Sequence, residues 1–314
     1  MAITVRNLTK KYGEQKAIDD LSFDVKTGEI LGFLGPNGAG KTTTMKIITC
    51  YMPPTSGTVE VDGLSTRDRS LEVRRKIGYL PEMNPLYLDM NVVDYLEFSA
   101  RLHGMQGDHL HHRVREMMQV CGLESVRGKD IGEMSKGFRQ RVGLAQAMVH
   151  EPEVLILDEP TSGLDPNQIV EIRNLIKELG RAKTVILSTH ILSEVQATCD
   201  RVIIVNEGKI VADGSPTQLQ REFHGADLLT LELKTASADP TADVLPRLRT
   251  LPGLAGAMLV SHDGPACVVE LQVEKGRDLR EEAFHLAVAQ GWVLLEMRRR
   301  VTTLEEVFHK LTTS

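Results

Sequence analysis

The chain has 314 residues and a formal net charge of −6 at pH 7, with an isoelectric point near 6.0. Apolar residues make up 41% of the sequence and charged residues 25%, which is ordinary for a globular protein and unlike a disordered one. A nucleic-acid-binding protein normally carries a basic surface, so this charge balance argues against that class. The length is comfortable for two domains and long for one.

The four cysteines, at positions 50, 121, 199 and 267, form no CxxC pair. This spacing predicts free, mostly buried thiols in a reducing compartment. No apolar stretch reaches the roughly 20 residues that a membrane-spanning helix needs. The first residues also lack a signal-peptide pattern. We therefore expect a cytosolic chain that requires a partner for any role at a membrane.

The first part of the chain is rich in short apolar stretches bounded by turn residues. A glycine-rich loop lies between an apolar strand and a helix, and Pro53 and Pro54 end that helix. The patterns predict strands over residues 2–8, 17–25, 30–34 and 58–61 and a helix over residues 41–50.

From about residue 91 to residue 149 the apolar residues recur at helical spacing, which predicts a helical insert. Strands and helices alternate again after it. The patterns predict strands over residues 154–157, 184–187 and 201–206 and helices over residues 166–179 and 193–198. Buried apolar strands that alternate with helices indicate a parallel α/β sheet.

The composition changes after about residue 223, and the remaining elements follow the order β-α-β-β-α-β, typical of a ferredoxin-like domain. The patterns predict strands over residues 227–234, 256–261, 266–273 and 292–299 and helices over residues 243–250, 277–290 and 302–312. We therefore predict two domains, residues 1–225 and residues 226–314. The first contains a helical subdomain at about residues 88–150, and the second is a small α+β accessory domain.

Residues 35–42 match the phosphate-binding loop pattern in full, and they follow an apolar strand and open a helix. The glycines let backbone N–H groups curve around phosphate oxygens, and the helix N-terminus adds partial positive charge. Lys41 is expected to bring a full charge to the β- and γ-phosphates. Thr42 is expected to offer its hydroxyl to Mg²⁺.

An apolar strand at residues 154–157 ends in Asp158 and Glu159. Two adjacent acids at the end of a buried strand are costly unless the chemistry uses them. We expect Asp158 to hold Mg²⁺, directly or through water, and Glu159 to orient and deprotonate the attacking water. His190 comes just after the next predicted strand, at the sheet edge where α/β proteins bind ligands, so it is a candidate γ-phosphate contact.

With these motifs in this order, the chain resembles the ATP-binding subunits of ABC transporters over about residues 2–220. Residues 134–141 resemble the signature motif of that family. The resemblance implies an ABC-type P-loop ATPase fold with a parallel-sheet core, an antiparallel β subdomain and a helical insert. It also implies ATP and Mg²⁺ as cofactors. The nucleotide-binding residues that it implies are Tyr12, which would stack on adenine, Gly35, Asn37, Gly38, Ala39, Gly40, Lys41, Thr42 and Thr43.

The resemblance further implies a head-to-tail dimer of two copies, with two ATP molecules sandwiched between them. Ser135 and Gly137 of one copy would then contact the γ-phosphate bound by the other. Asp165 would help couple the two sites, and His190 would bridge the γ-phosphate and the opposite copy. Glu159 and His190 are the catalytic residues that this arrangement implies. Thr42, Asp158 and Glu82 are the candidate Mg²⁺ ligands.

Three positions depart from the usual family pattern. Lys136 replaces the first of two adjacent glycines in the signature motif, and Phe138 replaces a glutamine. Glu82 stands where most relatives carry a glutamine that contacts Mg²⁺ and senses the channel subunits. A glutamate can still bind Mg²⁺ through oxygen, and it adds negative charge beside Asp158 and Glu159.

These departures and the extra C-terminal domain resemble one branch of the family. Its members power export through separately encoded membrane subunits, and the gliding-motility-associated members look nearest. Near the start of the helical insert, apolar residues form either a groove for a helix of the membrane subunit or ordinary helical core. They are Leu86, Tyr87, Leu88, Tyr95 and Phe98.

The resemblance places the chain on the inner face of the cell membrane, with a transmembrane permease and a second copy of itself as partners and no nucleic acid. Import-type transport remains an alternative, as does a soluble ABC ATPase that acts on ribosomes or nucleic acid. Lys41 and Ser135 are only 94 positions apart, which leaves no room for the coiled coil of DNA-repair relatives. Intact Glu159 and His190 argue against a non-catalytic regulatory module.

Overall fold

A computed structural model describes residues 1–222, 227–236, 239–274, 277–300 and 303–312. The chain forms two compact units, one of Met1–Pro216 with Leu311–Ser314 and one of Thr217–Lys310. The predicted domain boundary between residues 225 and 226 lies outside the described residues, as does the predicted helix start at residue 302. Within the described ranges, no helix is long and apolar enough to cross a membrane.

A six-stranded sheet forms the centre of the first unit, in the order β10-β9-β3-β8-β7-β6. All pairs are parallel except β10 with β9. The strands are β3 (Ile30–Leu34), β6 (Ile77–Leu80), β7 (Val154–Asp158), β8 (Thr184–Thr189), β9 (Arg201–Asn206) and β10 (Lys209–Gly214). Every residue of β3, β7 and β8 is buried, as expected for strands covered on both faces.

Four helices of the first unit directly follow or precede these strands in the chain. They are α1 (Lys41–Ile48), α2 (Ser70–Lys76), α6 (Pro166–Gly180) and α7 (Leu192–Thr198). The parallel register aligns Leu34 of β3 with Thr189 of β8, and Asp158 of β7 with Ser188 of β8. The carboxyl ends of three neighbouring strands therefore meet at one edge of the sheet, where β7 and β8 end in polar residues.

A second, antiparallel sheet has the order β2-β1-β4-β5. Its strands are β1 (Ile3–Tyr12), β2 (Gln15–Val25), β4 (Ser56–Val61) and β5 (Leu64–Ser65). The predicted strand at residues 2–8 thus continues to Tyr12, where it pairs with Gln15 across a tight turn. This turn places Tyr12 at the tip of a hairpin.

The predicted helical insert is present, as α3 (Val92–Leu102), α4 (Gly107–Val120) and α5 (Lys136–Met148). Asn91 caps α3 by accepting a hydrogen bond from the Asp94 amide at 3.0 Å. Strand β6 and α5 touch backbone to backbone, because a Cβ at Gly78 would overlap the carbonyl oxygen of Ala147. The helix that carries residues 136–148 is therefore fixed directly against the core sheet.

The second unit has the predicted β-α-β-β-α-β order and a fully antiparallel sheet, β12-β13-β11-β14. Alternate residues of β11 and β13 are buried, and the two helices cover that face. The elements are β11 (Asp227–Lys234), α9 (Pro240–Leu248), β12 (Leu254–Asp263), β13 (Ala266–Val273), α10 (Arg280–Ala289) and β14 (Val293–Arg300). Two further helices are α8 (Pro216–Glu222) and α11 (Leu304–Thr312).

Two histidines join the insert to the core sheet. The rings of His103, at the end of α3, and His150, just after α5, stack with centroids 3.7 Å apart and planes within 5°. His150 Nε2 lies 3.1 Å from the carbonyl oxygen of Ile77 in β6. Burial lowers the pKa of His150 to about 4, and positive charge on His103 acts in the same direction.

We expect this stack to make the protein less stable at acidic pH. A histidine in the unfolded chain titrates near pH 6.5, so the unfolded state binds more protons than the fold between about pH 6.5 and 4. The free energy of unfolding should therefore decrease as the pH falls through that window, by up to about 1.4 kcal/mol per pH unit for this one group. His150→Phe keeps a ring for the stack but cannot titrate.

Urea unfolding of both proteins at pH 5, 6 and 7 tests this expectation. The variant should be less stable at pH 7, because the Ile77 carbonyl loses a partner, and its stability should fall less steeply toward pH 5. Parallel pH curves for wild type and His150→Phe would contradict the assignment.

Candidate functional site

The glycine-rich loop joins β3 to α1 and contains two glycines in the left-handed backbone region. Gly38 and Gly40 have φ of 82° and 104°, which glycine adopts without strain. A Cβ at Gly40 would also lie 2.5 Å from the carbonyl oxygen of Ala17, so the loop has room only for glycine there. Asn37 and Ala39 complete the loop, and the Ala39 amide donates to the Pro36 carbonyl at 3.2 Å.

Lys41 and Glu159 form a buried pair at the floor of this loop. Lys41 Nζ donates to the carbonyl oxygens of Gly35 at 2.8 Å and Pro36 at 3.2 Å. It also lies 3.3 Å from Glu159 Oε1. Both side chains are more than nine-tenths buried, so each charge depends on the other for compensation. A phosphate that enters the loop would meet a Lys41 ammonium already held by two carbonyl oxygens of the loop.

Asp158 is fully buried at the end of β7. Its Oδ1 accepts from Ser188 Oγ at 2.5 Å and from Thr42 Oγ1 at 3.3 Å. Its Oδ2 is buried without a hydrogen-bond partner among the described residues. Burial raises the pKa of Asp158, negative charge on Glu82 adds to that effect, and the hydrogen bonds from Ser188 and Thr42 act against it.

These oxygens fit a small divalent cation. Mg²⁺ prefers oxygen ligands, and an unsatisfied buried carboxylate oxygen costs about 1–3 kcal/mol if nothing binds it. Thr42, Asp158 and Glu82 line one cavity of about 720 Å³, so the three predicted metal ligands share a space. Asp158 Oδ2 would hold the cation with the Thr42 hydroxyl, and the exposed Glu82 would add a second carboxylate.

Glu159 is held in an unusual backbone conformation, with φ of 49°. Few non-glycine residues adopt it, and a cost of about 1–3 kcal/mol must be offset by neighbouring contacts. The Glu159 amide donates to both Ser188 O and Ser188 Oγ at 3.1 Å. His190 Nδ1 lies 2.8 Å from Glu159 Oε2, and the His190 side chain is 47% exposed.

The buried carboxylate of Glu194 holds two segments of this sheet edge through hydrogen bonds. Glu194 of α7 accepts hydrogen bonds from Thr161 Oγ1 and, at 2.7 Å, from Thr189 Oγ1. The Thr189 hydroxyl in turn accepts from the Ile191 amide at 3.0 Å, on the far side of His190. The segment after Glu159 and the segment around His190 are thus anchored to one side chain.

Tyr12 lies at the hairpin tip and is 51% exposed. Its hydroxyl donates to Met52 Sδ at 3.2 Å, and Lys10 Nζ lies 5.6 Å from its ring centroid. An exposed, fixed aromatic face of this kind can stack on a nucleobase. This geometry is compatible with the adenine platform predicted for Tyr12.

Ser135 and Gly137 open α5 at a different place. Ser135 is the N-cap and accepts from the Phe138 amide at 3.4 Å, and Gly137 is buried against the side chain of Gln168. In the part of the chain that the structure describes, no hydrogen bond or ion pair joins Ser135 or Gly137 to residues 35–43. One copy therefore presents two separate halves of the predicted nucleotide site.

Asp165 has a structural task in its own chain. It is the N-cap of α6 and accepts from the Gln168 amide at 2.9 Å, with Pro166 in the first turn. Aspartate followed by proline is a common helix start, so the sequence contained a signal for this cap. A coupling role for Asp165 across a dimer stays a prediction.

A profile of the family described as ABC transporter matches residues 18–162. The chain is 41% identical over 213 residues to the bacitracin transport ATP-binding protein BcrA of Bacillus licheniformis, a match that covers 67% of this chain and 69% of BcrA. It is 33% identical over 318 residues to Nod factor export ATP-binding protein I of Paraburkholderia xenovorans, covering 99% of this chain and 97% of that protein. The chain belongs to the ABC transporter family.

Among solved structures, the first unit is similar to an ABC cassette determined as a dimer in a post-hydrolysis state with ADP and Pi. The TM-score is 0.62 at 28% identity, over 68% of this chain and 98% of that one. The family and this similarity confirm the predicted fold class and show that the chain is an ATP-binding subunit that hydrolyses ATP. The individual residue roles stay predictions.

Sequence reasoning missed two supporting residues of this ABC site, Ser188 and Glu194. Ser188 lies two residues before His190, and only the pairing of β7 with β8 shows that it faces Asp158. Glu194 looks like an ordinary polar helix residue in the sequence. No spacing pattern distinguishes it, because its two hydroxyl partners lie five and 33 positions away.

The contacts of Ser188 predict a measurable role in turnover. Ser188→Ala removes one hydrogen bond to Asp158 and one to the Glu159 amide, both in the candidate catalytic site. We expect kcat for ATP to fall roughly 5- to 100-fold, as for a loss of about 1–3 kcal/mol. Steady-state ATPase assays with Ser193→Ala, an exposed serine of α7, provide the matched control. Unchanged kcat in Ser188→Ala would contradict the proposed support.

Proposed function

We propose that this chain is the ATPase subunit that powers export through a separate membrane-embedded subunit, by ATP-driven head-to-tail closure of two copies. The observation that carries the proposal is the cluster at the carboxyl ends of β3, β7 and β8. It brings the buried side chains of Lys41, Asp158 and Glu159 together with the half-exposed His190 beside the phosphate loop.

The chain's own groups suit phosphoryl transfer to water. The loop amides and Lys41 would bind the β- and γ-phosphates and stabilise the charge that develops on them. Glu159 would accept the proton of the attacking water, and His190, 2.8 Å from Glu159, would orient that carboxylate. Mg²⁺, when bound by Thr42, Asp158 and Glu82, would neutralise phosphate charge. Tyr12 would stack on adenine.

The separation of Ser135 and Gly137 from the phosphate loop supports a two-copy site. The N-terminus of α5 has the partial positive charge and the first-turn backbone N–H groups that favour an anion. In a head-to-tail pair it would face the γ-phosphate bound by the second copy, and Asp165 would lie at the same junction. The dimeric cassette structure of a relative is compatible with this arrangement.

The cavity beside Asp158 suits a docking helix of the membrane subunit. Its rim exposes Met83, which is 87% accessible, and the neighbouring Tyr87 packs on Tyr95 and Phe98 at 6.0 and 5.6 Å. Tyr95 is buried, which is core packing, whereas Tyr87 and Leu88 remain about half exposed. Buried polar atoms without a described partner also line the cavity: Tyr79 Oη, Asn84 Nδ2 and His150 Nδ1. The polar end of an inserted helix could satisfy them.

Several further assignments belong to the same proposal. Two relatives are named for bacitracin transport and for Nod factor export, which favours the export direction. A membrane partner would keep the chain peripheral on the inner face of the cell membrane. The net charge of −6 argues against nucleic acid as a partner. Residues 226–314 would act as an accessory domain that stabilises the dimer or regulates hydrolysis.

The catalytic assignment predicts a specific trapped state. Glu159→Gln keeps the size and one acceptor oxygen of the side chain but cannot take a proton at neutral pH. We expect turnover to fall about 10²–10⁴-fold while MgATP still binds, so that two copies stay closed around ATP. ATPase assays and light scattering after gel filtration test this. Turnover close to that of wild type would exclude Glu159 as the base.

The partner assignment predicts that a charge on the cavity rim disrupts membrane association. Tagged wild type, purified from its native membranes, should recover a polytopic membrane protein, and Met83→Asp should recover much less of it at unchanged basal ATPase rate. Val120→Asp, at an exposed apolar residue of α4 outside the cavity, is the control. Recovery of only ribosomal or DNA-associated proteins would instead favour a soluble ABC ATPase.

A further inference from the structure

Residues 51–55, which follow α1, contact the last residues of β1. The Thr55 amide donates to the carbonyl oxygen of Thr9 at 2.9 Å, and the Thr55 hydroxyl accepts from the Lys11 amide at 3.0 Å. At the other end of the segment, the carbonyl oxygen of Lys46 in α1 accepts from the amides of residues 51 and 52, at 2.8 and 3.3 Å. We call residues 51–55 the bridging segment, because it joins the helix that opens at the phosphate loop to the β1–β2 hairpin.

Two side-chain contacts connect the bridging segment to the aromatic ring at the hairpin tip. The Tyr12 hydroxyl donates to Met52 Sδ at 3.2 Å, and Met52 is itself partly buried against the hydrophobic core. Lys10 Nζ donates to the carbonyl oxygen of Pro53 at 2.7 Å and lies 5.6 Å from the Tyr12 ring centroid. The half-exposed ring is therefore held at its hydroxyl and contacted on one face without being buried.

This restraint matters because the ring is exposed. Exposed loop tips are normally among the more mobile parts of a fold, and a side chain that becomes ordered only on binding lowers the affinity by its lost rotamer freedom. A hydrogen bond to a thioether sulfur and a cation over an aromatic ring are each weak, but here both act on one side chain. Together they favour one ring orientation before any ligand arrives.

We propose that Met52 and Lys10 are positioning residues for the nucleobase of ATP, which act by holding the Tyr12 ring. The inference rests on the proposed stacking of Tyr12 on adenine. Helix α1 begins at Lys41, in the phosphate loop, and the bridging segment follows the end of that helix. One continuous stretch of chain therefore links the phosphate contacts to the ring and sets the distance between them.

The main competitor is a structural role, in which the two residues only stabilise the hairpin or the phosphate loop. Their loss would then weaken binding of the phosphates as well. A positioning role has a narrower signature, because only the base contacts the ring. It lowers the affinity for ADP and leaves the affinity for ribose 5-diphosphate unchanged, since that probe has the same sugar and phosphates without the base.

The test measures dissociation constants of ADP and of ribose 5-diphosphate, each with Mg²⁺, on the full-length chain by isothermal titration calorimetry. Met52→Leu nearly conserves volume but removes the sulfur acceptor, and Lys10→Met keeps an apolar stem but removes the cation. Each should raise the constant for ADP about 3- to 10-fold, as for loss of one weak interaction and of the order that it provides. Met105→Leu, at a partly buried methionine of the helical insert, and Lys11→Met, at an exposed neighbouring lysine, are the matched controls.

A double variant tests whether the sulfur acts through the tyrosine hydroxyl. Tyr12→Phe keeps the ring and removes the donor to Met52 Sδ. If the two groups act as one contact, the double variant of Tyr12→Phe and Met52→Leu should bind ADP no more weakly than Tyr12→Phe alone. Losses that simply add in the double variant contradict the proposed contact.

The outcomes separate this inference from the proposed function. Wild-type affinity for ADP in both Met52→Leu and Lys10→Met overturns the inference, and so does an equal loss of affinity for ribose 5-diphosphate. Tyr12→Ala is the reference for the base contact itself. If Tyr12→Ala lowers the affinity for ADP alone, stacking on Tyr12 stands even where the positioning variants fail. If Tyr12→Ala changes neither constant, the base contact in the proposed function is overturned, and the inference with it.

Discussion

The parallel pairing of β3, β7 and β8 is the constraint on which the rest of the site depends. Parallel strands end on the same side of a sheet, and the register that aligns Asp158 with Ser188 also sets Thr189 beside Leu34. The phosphate loop, the two acids and His190 come from segments far apart in the chain. They meet because the buried apolar runs before them pair in this register, so a shift of one residue in β7 would turn Asp158 to the opposite face.

Burial at this edge is costly, and the structure distributes the compensation over hydroxyl groups. The Ser188 hydroxyl donates to Asp158 and accepts from the amide of the strained Glu159. The Glu194 carboxylate accepts from the hydroxyls of Thr161 and Thr189. The hydroxyl groups carry no charge, so the negative charge of Asp158 and Glu159 is offset mainly by Lys41, whose Nζ lies 3.3 Å from Glu159 Oε1. Such an edge favours the arrival of a cation together with a polyphosphate, because the cation offsets the negative charge of both the buried acids and the polyphosphate.

The sequence predicted the parts of this molecule that depend on short-range order. The phosphate loop and the acidic strand are contiguous motifs, and the second unit follows its predicted order because its apolar residues alternate. The start of α9 was predicted three residues too late, since Asp239 caps the helix and Pro240 opens it. Strand β6 was not predicted, because four residues that include Gly78 carry too little periodicity. Ser188, Glu194 and the His103–His150 stack depend on pairing between distant segments, which a single sequence does not reveal.

The backbone contact at Gly78 has a consequence for the mechanics of the subunit. Side chains between two elements can change rotamer and absorb a displacement, but a Cα that rests on a carbonyl oxygen has no such freedom. Four residues beyond Gly78 the chain reaches Glu82. Helix α5 begins at Lys136, at the opposite end of the helix from Ala147. A displacement of the cavity rim would therefore move α5 as a rigid body, including its N-terminal end. Adding a methyl group at residue 78 would therefore shift the cavity rim and the N-terminal end of α5 together.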